Sequence, residues 1–342
     1  MILGNQKMFF GLPKKWRLIA GLPAVMAVAL GGMLGCGGEA PAPARPRPAV
    51  SPAPTRPRPA VLATTTVVAD LVREVAGSGV HVECLMSPGI DPHSYRATPR
   101  DAERLAAADL VFASGLKLEG RLAELLAKLG RRGHVVFVAD TLPPERLLAV
   151  GAGFYDPHVW FDLGLWKACV PAVADALAAA DPADAEGYQA RAAAYSARLD
   201  ATEAEITARL AAVPADRRVL VTAHDAFAYF GRAYGLEVVG VQGTNTESEA
   251  GLGDINRLVE RLVAERIPAV FLETSVSPRN VRALVEGAAA AGHTVALGGT
   301  LHSDSLGPPG SGADTLVAAV LANVDTIVAG LGGAAGGPDV SP

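Results

Sequence analysis

The stretch ADAEGYQARAAAYSARLDATEAEITARLAAV, residues 183–213, contains no proline, and its only interior glycine is Gly187, near the start. Tyr188, Ala192, Tyr195, Leu199, Ile206 and Leu210 recur mostly at spacings of three and four. That period puts them on one face of a single amphipathic helix of about thirty residues, about 45 Å long at 1.5 Å per residue. A helix of that length in mid-chain is long enough to span two lobes.

On both sides of it the period is different. Before it, Val61–Val68 reads as a β-rich run leading into a helix at Ala69–Ala76. Val80–Met86 reads as a strand, Pro99–Ala107 as a helix, Leu110–Ala113 as a strand, Leu118–Leu129 as a helix and Val135–Ala139 as a strand. After it, strands at Val219–Thr222, Glu237–Val241, Ala269–Leu272 and Thr294–Leu297 alternate with helices at Ala226–Tyr234, Leu252–Glu265, Arg279–Ala291 and Asp314–Ala329. Short apolar strands alternating with helices predict parallel sheets covered on both faces. The expected fold is α/β: two similar lobes, residues 62–182 and 214–334, each a mostly parallel sheet flanked by helices, joined by the long backbone helix at 183–213. Residues 335–342 read as a loose Gly/Pro tail.

The chain of 342 residues is long enough for two moderate lobes with their own cores. Half of it is hydrophobic but only 5% aromatic, so Ala, Val and Leu must fill those cores. The net charge of -5 is unevenly spread. Lys7, Lys14, Lys15, Arg17, Arg45, Arg47, Arg56 and Arg58 face only Glu39 in residues 1–61, so the rest of the chain is more acidic than the total. Such a domain repels nucleic acid and draws cations in a general way.

Lys14, Lys15 and Arg17 precede an apolar run, Leu18–Leu34, broken by Gly21, Pro23, Gly31 and Gly32. It reads as a signal peptide, residues 1–35, rather than an uncleaved membrane anchor. The run closes on Met33-Leu34-Gly35-Cys36, which resembles a lipoprotein cleavage site, although Leu is more usual where Met33 stands. Cys36 is then the lipidated residue; the alternative is a plain thiol after ordinary secretion. Residues 36–61 repeat Arg-Pro-Arg-Pro-Ala-Val at 45–50 and 56–61, a proline density that prevents helix and sheet and favours an extended tether. Cys84 and Cys169 have no CxxC spacing and are expected as free buried thiols.

Three of the seven histidines share a local setting. His93 lies in Asp91-Pro92-His93-Ser94-Tyr95, His158 in Asp156-Pro157-His158-Val159-Trp160, and His224 in Thr222-Ala223-His224-Asp225. Each follows a strand end or turn and precedes a helix, and α/β folds bind ligands at the carboxyl ends of their strands. Pro92 and Pro157 stiffen the turns, and Asp91 and Asp156 are placed to lock them by side-chain hydrogen bonds. Pre-aimed imidazoles with a carboxylate make a mixed site for a first-row metal. Glu273, at a strand end, is open to two roles, an acceptor orienting His224 or a helix cap. Glu247 and Glu249 read as serving a helix N-terminus.

The two Asp-Pro-His turns, Val221–Gly235 and Gly298–Gly307 resemble the TroA-like, or cluster A-I, solute-binding receptors of metal ABC importers, over about Leu62 to Leu331. The resemblance implies two lobes holding one Zn²⁺, Mn²⁺ or Fe²⁺ as transported ligand. The metal ligands it implies are His93, His158, His224 and Asp304, the last in Ser303-Asp304-Ser305-Leu306-Gly307, with His302 as a rival two positions away. His81, His134 and His293 match no ligand and read as structural or exposed. Many zinc-specific relatives carry a His- and Asp-rich loop in the first lobe, whereas residues 141–157 here contain no histidine. Preference for zinc therefore rests on three imidazoles and one carboxylate; a glutamate in place of His224 would lean to Mn²⁺.

The expected role is an extracytoplasmic receptor, lipid-anchored through Cys36 and monomeric, that passes its ion to an ABC permease in the membrane. A secreted metallohydrolase using the same cluster, with Asp225 as base, is the competing reading. It would need an open metal position, and the chain has no His-Glu-x-x-His or Gly-x-Ser-x-Gly motif. Thr64–Asp70 lacks the Gly-x-Gly-x-x-Gly turn of a Rossmann dehydrogenase. An adhesin-type lipoprotein role is compatible with the anchor, but no residue argues for it.

Overall fold

In the computed structural model, which describes residues 58–332 apart from 152 and 249, the chain opens as a βα repeat. The elements are β1 (Val61–Ala63), α1 (Thr66–Ala76), β2 (Val82–Cys84), α2 (Pro99–Ala107), β3 (Leu110–Ala113), α3 (Ala123–Gly130) and β4 (Val135–Phe137). A hairpin of β5 (Ala149–Gly151) and β6 (Phe154–Tyr155) leads to α4 (Leu163–Ala180) and the long α5 (Ala185–Leu210). The repeat then resumes with β7 (Val219–His224), α6 (Ala228–Tyr234), β8 (Glu237–Gln242), α7 (Leu252–Ala264), β9 (Ala269–Glu273), α8 (Arg279–Ala290), β10 (Ala296–Leu301) and α9 (Leu316–Gly330). The signal peptide, Cys36, most of the tether and the tail fall outside the described residues.

The first sheet has order β2-β1-β3-β4 and is parallel throughout. In the second half β7 pairs with β8 and β9 with β10, both parallel, and β7 lies against β9. Alternation along the strands decides which core each side chain enters. Val61 and Ala63 of β1 and Phe112 of β3 enter a large core; Leu62, Val111 and Ala113 enter a smaller one with Leu105 of α2 and Leu126 of α3. In the second half Leu220 and Phe271 point into the same large core, while Val221 and Val270 pack with Leu262 of α7 and Leu284 of α8. The large core is built around α1, α4, α5 and α9, which pack on one another. The first sheet and the strand pairs of the second half therefore rest on one shared layer of helices.

The long helix is present with 26 residues, and all six residues of its expected apolar face are buried. Elsewhere the structure moves or adds elements. α1 begins at Thr66 instead of Ala69, because the Thr65 hydroxyl accepts from the Val68 N–H and so caps a helix that starts inside the β-branched run. α4 was not expected from the sequence. It has eight buried residues in the large core and an internal Pro171. Pro171 is exposed, so water can satisfy the carbonyl its missing N–H leaves free. β10 runs on to Leu301 through an irregularity between Leu297 and Thr300. Gly298 sits there, where a Cβ would stand 2.6 Å from the Phe271 ring, so only glycine lets the strand continue.

Candidate metal centre

Each donor is delivered by a different loop or strand end and locked there by a neighbouring side chain. Asp91 accepts from the backbone N–H of His93 at 2.9 Å and from the Ser94 hydroxyl at 2.7 Å, which closes the first turn. Asp156 does the same for the second turn through the His158 N–H at 2.9 Å, and its Oδ1 also meets His158 Nδ1 at 2.7 Å. His224 is the last residue of β7. Glu273, the last residue of β9, accepts from its N–H at 2.8 Å and meets its Nδ1 at 2.6 Å. Glu273 thus takes the orienting role, one of the two the sequence left open. The second function of Asp156 was not foreseen from the sequence.

Asp304 follows β10. Its loop is tied to the first half of the chain by the Trp160 indole donating to the Ser303 carbonyl at 3.2 Å. The Leu306 N–H donates to Thr66 Oγ1, and the Gly89 N–H to Ser305 Oγ, each at 2.8 Å. Strand ends from both halves of the chain therefore converge on one point.

At that point His93 and His158 present Nε2 atoms 3.2 Å apart, and those of His158 and His224 are 3.4 Å apart. Asp304 lies 3.2 Å from His158 Nε2 and 3.4 Å from His224 Nε2, and all four donors fit within 4.8 Å of one another. Four ligands at about 2.0–2.1 Å from a tetrahedral Zn²⁺ would stand about 3.3 Å apart, so the spacing suits a small cation. All four side chains are buried, and the two oxygens of Asp304 face His158 Nε2 and His224 Nε2. A buried carboxylate facing imidazole nitrogens at these separations makes a mixed donor set that a cation would satisfy. The contacts to Asp156 and Glu273 hold a proton on Nδ1 of His158 and His224, so that the Nε2 atoms are the ones that would be freed for a cation.

The electrostatics of the ion-free chain follow from the same geometry. Burial pushes the His93 pKa down to about 4. Burial also acts to lower His158, but Asp156 and then Asp304 outweigh it and raise it to about 9. His224 is likewise lifted well above its ordinary value, Glu273 and Asp304 overcoming burial. Burial would raise Asp304, yet His224 and His158 hold it well below the usual carboxylate range. Without an ion, protons on His158 and His224 take the place of its charge.

The remaining residues sort out plainly. His302 lies outside the cluster, with its backbone bonded to Asn323. His81 and His134 are exposed, and His293 meets the Ile267 carbonyl at 2.9 Å. Cys84 and Cys169 are free thiols, the first half-buried and the second buried. Glu247 pairs with Arg121, while the cap of α7 comes from Asp254, which accepts the Gly251 N–H; Glu249 lies outside the described residues. Glu273→Gln should weaken metal binding by about ten- to a hundredfold, because the amide is a poorer acceptor and loosens the tautomer and aim of His224. Competition against a chromophoric chelator measures this, and wild-type affinity in the variant would show that Glu273 is not an orienting group.

Fold and cluster together define an α/β protein with a buried three-histidine, one-carboxylate centre at the carboxyl ends of its parallel strands. Residues 61–330 match the family described as zinc-uptake complex component A, periplasmic (ZnuA), and the chain belongs to that family. It is 43% identical to the zinc-binding protein TroA of Treponema pallidum over 272 residues, 79% of this chain and 88% of the relative. It is 41% identical to the manganese-binding lipoprotein MntA of Bacillus subtilis over 270 residues, 79% of this chain and 88% of the relative. The solved structure of the periplasmic zinc-binding protein TroA from Treponema pallidum superposes with a TM-score of 0.78, covering 80% of this chain and 99% of that one. Fe(III)-bound YtgA from Chlamydia trachomatis, 30% identical, does so at 0.73 over 80% and 98%.

Proposed function

We propose that this chain is the extracytoplasmic receptor of an ABC metal importer, and that His93, His158, His224 and Asp304 hold the single ion it carries. The observation that supports this most directly is the set of four buried donors spaced for a small cation. Relatives named for zinc, manganese and iron share the family, so resemblance does not choose the ion. Three imidazoles and one carboxylate support a preference for Zn²⁺ in vitro, since affinity at such a site rises from Mn²⁺ to Zn²⁺ in the Irving–Williams order. The ion carried in the cell depends on availability as well.

The sequence of events is capture and hand-off. The hydrated ion enters between the strand ends, and four protein donors replace its waters. The loaded chain, monomeric and held to the membrane through a lipid on Cys36 and the proline-rich tether, then docks on a permease. Four protein donors leave no open position for a substrate or a reacting water, which argues against the metallohydrolase reading. Two lobes, 62–182 and 214–334, bridged by the α5 region and resting on shared helices, limit hinge motion, so closure on binding is small; scattering from loaded and stripped protein checks this.

The reading is tested by elemental analysis and competitive titration of chelator-stripped protein. One equivalent of Zn²⁺, bound more tightly than Mn²⁺, is expected. A chain that takes up no stoichiometric metal overturns it.

A further inference from the structure

His93 differs from the other three donors. His158, His224 and Asp304 contact one another at 3.2–3.4 Å, whereas the short contact of His93 within the cluster is with His158. His93 is also the donor that borders an open cavity, of about 540 Å³, shared with Leu116, Arg121, Phe154, Asn245 and Glu247. An ion leaving the centre by this route passes His93.

The far wall of that cavity is the loop of residues 243–248. It leaves β8 directly after Gln242, whose register partner in β7 is His224. Gln242 Nε2 holds the Ser248 carbonyl at 3.3 Å, folding the loop back on its own strand. Its tip reaches the first half of the chain at two points. The Thr246 hydroxyl donates to Asp91 Oδ2 at 2.7 Å, and Glu247 pairs with Arg121. Asp91 is the residue whose other oxygen fixes the His93 backbone. A continuous chain of bonds thus runs from the strand of His224 across the mouth to the turn of His93.

We propose that loop 243–248 is a strap over the metal centre, and that Thr246 and Glu247 are positioning residues that set how fast the bound ion leaves. The inference rests on the metal-receptor reading. The two contacts are unequal. Thr246 donates to a carboxylate, a charge-assisted bond that acts directly on the His93 turn. Arg121 and Glu247 keep about 40% and 33% of their side chains exposed, so their pair is screened by solvent and salt and contributes less.

The test is the rate at which zinc-loaded protein gives up its ion to excess chelator in stopped flow. Thr246→Val should release about tenfold faster, the order expected for one hydrogen bond to a charged group. Thr246→Ser, which keeps the hydroxyl, should restore the slow rate. Glu247→Gln should release about two- to threefold faster at low salt and like wild type at high salt. The exchanged pair, Arg121→Glu with Glu247→Arg, should return to the slow rate. Because neither Thr246 nor Glu247 touches the ion, stoichiometry stays at one throughout. If the wild type binds zinc but Thr246→Val and Glu247→Gln release it at the wild-type rate, the strap is overturned and the receptor reading stands. A wild type that takes up no zinc overturns both.

Discussion

Replacing His224 by alanine should cut zinc affinity by about a hundred- to a thousandfold, while His302→Ala leaves it unchanged. Structural zinc sites yield roughly 10–16 kcal/mol of apparent binding energy from four ligands, so the loss of one costs about a quarter of that. The cost is large here because water is a poor replacement. The position is fully buried, and the Glu273 carboxylate behind the ring loses the N–H it was built to accept. His302 is two residues from Asp304 yet outside the cluster, with its backbone held by Asn323 whatever its side chain. The contrast tests the proposed donor against a histidine that is near Asp304 only in sequence. Isothermal titration with a competing chelator measures both variants. Equal affinity in His224→Ala and wild type would remove His224 from the site, and a loss in His302→Ala would mean the ion sits elsewhere. The metal-dependent rise in melting temperature should disappear with the binding, since a ligand stabilises only the state that holds it.

The second large effect is on pH. In the ion-free chain His158, raised to about 9, and His224, raised well above its ordinary value, carry protons at neutral pH, and an incoming cation must displace them. Zinc binding at pH 7 should therefore release more than one proton, and apparent affinity should climb by more than about tenfold per pH unit between pH 6 and 8. Stability of the ion-free chain runs the other way. A histidine whose folded pKa lies above its unfolded value of 6.5 contributes stability that is fully present below 6.5 and is lost as pH rises through about 9. Raising the pH across that window should lower the melting temperature of the stripped protein and enlarge the gain on adding zinc. Binding enthalpies in buffers of different ionisation heat count the protons. No proton release, or an affinity flat across the window, would show that the imidazoles are already free.

Much of this was legible in the chain because it is local. The apolar face of α5, from Tyr188 to Leu210, depends only on a period of 3.6 within one segment, and every residue expected on that face is buried. Helix α2 and strand β3 fall where proline at the first helical turn and a short apolar run put them. The Asp-Pro-His turns are local too, and Asp91 and Asp156 close them as their spacing suggests. What was not local was missed or left open. α4 was not expected: its segment is apolar nearly all round and carries Pro171. Glu273 had two readings until β9 was laid beside β7 and its carboxylate met His224, 49 residues away. Nothing near Thr246 in the chain hints at Asp91, 155 positions earlier.

The sequence by itself determined the elements, the turns that aim the imidazoles and the residue types that make a metal site, because backbone propensity and side-chain chemistry act over a few residues. The tertiary structure alone decided which donors meet, which carboxylates stand behind them and what crosses the mouth. A metal ligand is defined by a separation of about 3 Å in space, and only the packing of the strands on their common layer of helices sets that distance.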